Sequence, residues 1–166
     1  PGIIERSRDT GCRLLAPSGA IAGLDGIKSD CAGHVDHVTM VYRKPPISLE
    51  GARHLVENGI SLEGLEEELE VFSGTAREAV KGFPANLNVS AAVSLAGVGP
   101  DRTQVKIMAV PGLGRNCHDI EVEGEFGLLR IHIENNPSEN PKTGKLTAFS
   151  IIRSVQDAVD PFRIGT

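Results

Sequence analysis

The sequence predicts an α+β domain in which a mostly antiparallel (mixed) sheet carries helices mainly on one face. Three observations lead there. Four segments, 38–43, 103–110, 117–123 and 128–134, alternate apolar and polar residues with the period of a half-buried strand. The last two are joined by a short Gly-flanked connection at 124–127, as a hairpin requires. Between the other strands lie stretches with helical spacing and recognisable caps.

In chain order, the opening residues show no start methionine and no early element that nucleates a fold by itself, so the chain reads as the middle of something longer. An extended piece, 13–16, ends at Pro17, and Ser18 caps a helix over 19–27. Gly19, Gly23 and Gly26 weaken that helix, so something packs close against it. Two readings stay open: packing on the sheet, or a cofactor ring or substrate lying on Ser18 and Gly19. The strand 38–43 sets Val38, Met40 and Tyr42 on one face against Thr39, Val41 and Arg43, and Pro45-Pro46 stops it. Arg43 and Lys44 make a basic strand end that suits either an anion or solvent.

Ser48 caps a helix running to Asn58-Gly59, with Leu49, Ala52 and Leu55 or Val56 on its apolar stripe and His54 off it, exposed. Leu62, Leu65 and Leu69 mark a second, acidic amphipathic segment, and Val71-Phe72 a short strand. Thr75 and Glu78 form a capping box that starts a helix through Lys81. Asn86 caps the next helix, 87–96, whose Val, Ala, Leu and Ser content calls for burial on most sides. In the strand pair, His118, Ile120, Val122, Leu129, Ile131 and Ile133 face inward, while Asp119, Glu121, Glu123, Arg130, His132 and Glu134 face out. A polar loop, 135–143, leads to a last helix, 145–159, expected to bury Leu146, Phe149, Ile152 and Val155.

With 166 residues the chain forms one domain, 1–166, large enough for a real core. A net charge of -5 with scattered Lys and Arg, and no Trp, argues against nucleic acid as a partner. No apolar run is long enough for a transmembrane helix, so no membrane is expected. Three cysteines, odd in number and unpatterned, fit a reducing cytoplasmic setting. Cys31, His34 and His37 recur at three-residue intervals, but no second group with ligand spacing accompanies them; no metal is expected.

His118 sits at the end of the inward face, beside the amide of Asn116, where it serves either as a core-edge histidine or as a proton-transfer group. Asn86 and Asn88 occupy the first turn of an apolar helix, where free N–H groups favour a carboxylate or phosphate; the alternative is that they only cap it.

Three stretches read together carry a family likeness: GTAREAVKGFPANLNVSAAVSLAG (74–97), GPDRTQVKI with RNCHDIEVEGEFG, and IENNPSENPKTGKLTA (133–148). With SGAIAGLDGIKS and YRKPP, they resemble the C-terminal domain of L-aspartate dehydrogenases over nearly the whole chain. The resemblance implies oxidation of L-aspartate, or a similar small dicarboxylic amino acid, with NAD or NADP. The product is iminoaspartate, which hydrolyses to oxaloacetate and ammonia or feeds NAD biosynthesis. It also implies a homodimer and a catalytic role for His118 in Asn116-Cys117-His118; with that reading, Asn86, Asn88 and Asn116 are expected to contact substrate and Ser18 and Gly19 to lie beside the nicotinamide. No G-x-G-x-x-G fingerprint follows a strand, so the family's Rossmann half is not in this sequence. Two rivals stand beside this reading: a homoserine- or dihydrodipicolinate-type enzyme of the same two-domain plan, or a non-catalytic dimerisation or ligand-binding module.

Overall fold

The computed structural model describes residues 2–84, 87–136, 145–162 and 164. Five strands form one sheet, β1 (Val35–Lys44), β2 (Leu69–Thr75), β3 (Thr103–Ala109), β4 (Asn116–Gly124) and β5 (Gly127–Asn135), in the order β2-β3-β1-β4-β5. Only β1 and β3 run parallel; the other three pairings are antiparallel, so the expected mixed α+β sheet is observed. Alternation does what period 2 dictates. Val38, Met40, Tyr42, Ile107, Ile120 and Val122 are buried, while Arg130, His132 and Glu134 are exposed.

The helices that close the core are α2 (Leu24–Asp30), α3 (Arg53–Asn58), α4 (Ala76–Gly82) and α5 (Asn88–Ala96). Of the expected starts, the capping box of α4 forms in full: Thr75 Oγ1 accepts from the Glu78 N–H, and the Glu78 carboxylate accepts from the Thr75 N–H at 2.9 Å.

Elsewhere the helices differ from expectation, for local reasons. Ser18 caps nothing; residues 19–20 form a turn and the helix starts at Leu24 behind Gly23. Gly23 has φ 76, and a Cβ there would meet Ile131 Cδ1 at 2.4 Å; one at Gly26 would meet Leu129 at 3.3 Å. Close packing on β5 therefore accounts for Gly23 and Gly26. It does not account for Gly19, which has nothing within 4 Å of the Cβ position. The expected helix from Ser48 divides into a 3-10 turn (Pro46–Ser48) and α3, because Gly51 adopts φ 72 between them. The acidic stretch after Ser61 is loop rather than helix, and Leu62 reaches the core from it. His54 is half-buried, not exposed, with its ring 5.2 Å from Phe72 and 5.4 Å from Phe83.

At the ends of the chain two helices stand outside the core. The opening residues form α1 (Gly2–Thr10), with no buried residue. The last helix, α6 (Lys145–Val159), has the expected bounds, but Leu146, Phe149, Ile152 and Val155 are exposed. Helical periodicity reports an apolar face; it does not say what covers it. Along α5 the inner side is buried through Ser90, Val93 and Ser94, while Leu95 is 63% exposed.

Candidate functional site at the end of the sheet

Strand direction gathers the site. Where β1 ends at Lys44, β4 begins at Asn116, and β5 returns there with Asn135 opposite Asn116. His118 pairs with Tyr42 across β1–β4, so both side chains enter the helix-covered face. Their rings meet edge to face, centroids 5.0 Å apart. His118 is only 4% exposed, and its Nδ1 has no hydrogen-bond partner among the described residues. Burial, then the positive charge of Lys44, push its pKa down to about 4, while Asp119 pulls the other way. The imidazole is thus neutral near pH 7 and able to accept a proton. An orphaned buried nitrogen marks a group with bonding capacity to spare.

Tyr42 connects this histidine to α5. Its hydroxyl faces Ser90 without a well-formed hydrogen bond, and burial holds its pKa above the phenolic range. Ser90 Oγ donates to the Leu87 carbonyl inside the first turn of α5. Asn88, exposed, is the first residue of that helix, and Leu87 at the N-cap position supplies no side-chain cap. Among the described residues no side chain caps this helix start, an arrangement that suits an anion. Asn86 lies outside the described residues.

The loop before α2 reaches the same end of the sheet. Asn135, 7% exposed, donates from Nδ2 to the Ala20 carbonyl at 2.8 Å, tying 18–20 to the end of β5 beside Asn116. Of the sequence-derived candidates, Ser18, Gly19, Asn116 and His118 thus converge at this end, and Tyr42 brings α5 and Asn88 to it. Sequence reasoning missed Tyr42 and Asn135 as members of this group and left Lys44 open between an anion site and a solvated edge; the structure buries Lys44. Tyr42 and Lys44 share the parity of Val38 and Met40, a signal that was available.

Cys31, His34 and His37 do not assemble. His34 pairs with Asp36 at 3.2 Å, and His37 with Glu123 at 3.1 Å on the outer face. His37, Glu121 and Glu123 bring donor atoms within 4.8 Å of one another, all solvent-accessible, as an ordinary surface ion cluster does. Among the described residues no helix is long and apolar enough to cross a membrane.

Fold and site together define a class: α+β domains with a buried histidine at the end of a mixed sheet, packed on a tyrosine whose hydroxyl faces the first turn of an apolar helix. The family follows from comparison. The family model for the C-terminal domain of aspartate dehydrogenase matches residues 25–158. L-aspartate dehydrogenase 3 of Bordetella bronchiseptica is 47% identical over 166 residues, covering 100% of this chain and 61% of that protein. L-aspartate dehydrogenase of Methanosarcina mazei is 53% identical over 156 residues, covering 93% and 58%. The crystal structure of aspartate dehydrogenase from Thermotoga maritima superposes with a TM-score of 0.74 at 29% identity, covering 99% of this chain and 63% of that one. The chain belongs to the aspartate dehydrogenase C-terminal domain family. It spans about six tenths of the length of the curated relatives it matches.

Proposed function

We propose that this chain is the substrate-binding and dimerising domain of an NAD(P)-dependent L-aspartate dehydrogenase, with His118 as its proton-transfer group. One observation carries the reading: a neutral, buried histidine with an unsatisfied nitrogen stands at the end of the sheet that also receives α5. The relatives that bear the activity's name support the substrate.

Oxidising an amine to an imine removes a hydride from Cα and a proton from nitrogen. A nicotinamide, when bound, supplies the hydride acceptor. The neutral imidazole of His118 takes that proton or, as the alternative role, takes a proton from the water that attacks the imine and releases oxaloacetate and ammonia. Asn88 and the free N–H groups of α5 hold a substrate carboxylate, Asn86 is assigned the same role from the sequence, and Asn116 lines the approach to His118. The residues present fit the nicotinamide end. Gly19 has φ 68 with open space over its α-carbon, so Ser18 and Gly19 offer a flat backbone surface to a ring. They do not fit the phosphates, for which this sequence has no glycine fingerprint. Those are assigned to residues outside this sequence.

The outer sheet face bears no helix among the elements that close the core, and a sheet face left bare supports a homodimer through it. Three unpaired cysteines, Cys12, Cys31 and Cys117, support a cytoplasmic setting. The test is an assay of reduced nicotinamide and ammonia with a full-length form, offering L-aspartate, L-homoserine and a dihydrodipicolinate-type substrate. Turnover is expected with L-aspartate and none with this chain alone. Preference for either rival substrate, or clear turnover by the purified chain, overturns the reading.

A further inference from the structure

Lys44 is the last residue of β1 and lies two residues beyond Tyr42, so it shares the helix-covered face. The sequence left it between an anion site and a solvated edge; the structure makes it 6% exposed. Among the described residues it is the one lysine or arginine that is buried. Its ammonium stands 6.0 Å from the centroid of the Tyr42 ring, the same ring that meets His118 at 5.0 Å. One tyrosine is therefore flanked by a buried base and a buried cation.

A dicarboxylic amino acid brings two anions to this site. The N-terminus of α5, with Asn88, takes one. The arginines near the same strand ends lie on the opposite side of the sheet, Arg43 with Asp119 and Glu68 and Arg115 with Glu134. Lys44 is on the side where His118 works. We propose that Lys44 receives the distal carboxylate of the acidic substrate and so sets the preference for a dicarboxylic amino acid. The proposal rests on the dehydrogenase reading of this site and extends it to specificity.

Two physical consequences support it. Burial lowers the pKa of Lys44 to about 8, so a carboxylate brought beside it restores a charge that burial disfavours, in surroundings where a charge-assisted bond is strong. The charge on Lys44 also depresses His118, against the opposing pull of Asp119. A carboxylate seated on Lys44 cancels that push and returns basicity to His118. The right substrate thus strengthens its own base, and a neutral analogue does not.

The experiment compares full-length wild type with Lys44→Met, Lys44→Gln and Lys44→Arg. It reads kcat/KM for L-aspartate against L-asparagine, together with protection from thermal unfolding by succinate. Either neutral substitution should lower kcat/KM for L-aspartate by about 100-fold or more, the scale of truncating one member of a buried charge pair. Activity with L-asparagine should change only a few-fold, so the selectivity ratio collapses. Lys44→Arg should recover part of it, and the few-degree protection by succinate should survive only where a cation remains. Retention of both the aspartate preference and succinate protection in a folded neutral variant overturns the proposal. Wild type that is not protected by succinate overturns it as well. If wild type fails to oxidise L-aspartate while succinate protection still requires Lys44, the dehydrogenase reading falls and the carboxylate site stands.

Discussion

His118 and His132 stand on neighbouring strands, one register position apart, and face opposite sides of the sheet. His118 looks into the helix-covered side; it is nearly sealed, its Nδ1 has no hydrogen-bond partner among the described residues, and its pKa is pushed down to about 4. His132 looks outward. Hydrogen bonds to Asp119, at 2.5 Å, and to Glu134, at 3.3 Å, raise its pKa. Residue type and near neighbours in sequence are similar. What separates them is the side of the pleat, which decides between desolvation and charge partners. Spare bonding capacity on the inner side suits chemistry; a satisfied ring on the outer side suits a structural ion network.

The sharpest way to break this contrast is to remove each ring in the full-length enzyme. His118→Ala should lower kcat by ~10²-fold or more, the usual scale for a general acid–base group, with the melting temperature within a few degrees. His132→Ala should leave kcat within about twofold. Equal losses from both, or an unfolded His118→Ala with normal activity in its surviving fraction, would show that the inner histidine is only structural.

A smaller effect should appear in stability against pH, with opposite signs for the two rings. The folded pKa of His118 is depressed, so its neutral form is favoured on folding. That contribution is complete above ~6.5 and is lost as pH falls toward about 4, on the order of 3 kcal/mol at most. The folded pKa of His132 is raised, so its contribution is complete below ~6.5 and is lost as pH rises through the raised value. Urea unfolding between pH 4.5 and 8 should therefore show a shallower acid-side loss in His118→Gln and a shallower alkaline-side loss in His132→Ala. Identical slopes in both variants and wild type would contradict the assignment.

The smallest expected effect concerns the outer face as a subunit contact. Light scattering at tens of micromolar should give a dimer, and Val41→Glu, which adds charge to that face, should raise the dimer dissociation constant by about tenfold. A wild-type monomer would remove this role from the outer face.

Much of the candidate site is legible in the sequence. Alternation places His118 inward and His132 outward without further information, and the Thr75–Glu78 box starts α4 because both of its bonds are local. The misreadings share a cause. Gly23 and Gly26 answer to Ile131 and Leu129, more than a hundred residues away, so a helix start read from neighbours alone landed too early. His54 looked exposed because its helical stripe was counted over a segment that Gly51 interrupts; Phe72 and Phe83, from other elements, enclose it.

By itself, then, the sequence determined strand existence, strand facing, the bounds of α6 and the inward placement of His118, because each depends on a period of two or 3.6 residues or on a cap three residues away. Only the tertiary structure decided that β1 lies between β3 and β4. It also decided that Asn135 ties the Ser18–Gly19 loop to the end of the sheet, that the apolar side of α6 is exposed, and that Lys44 is buried beside the ring that touches His118. Those facts depend on contacts between residues tens to more than a hundred positions apart. No local period encodes them, and their energies are settled only when the whole sheet is assembled.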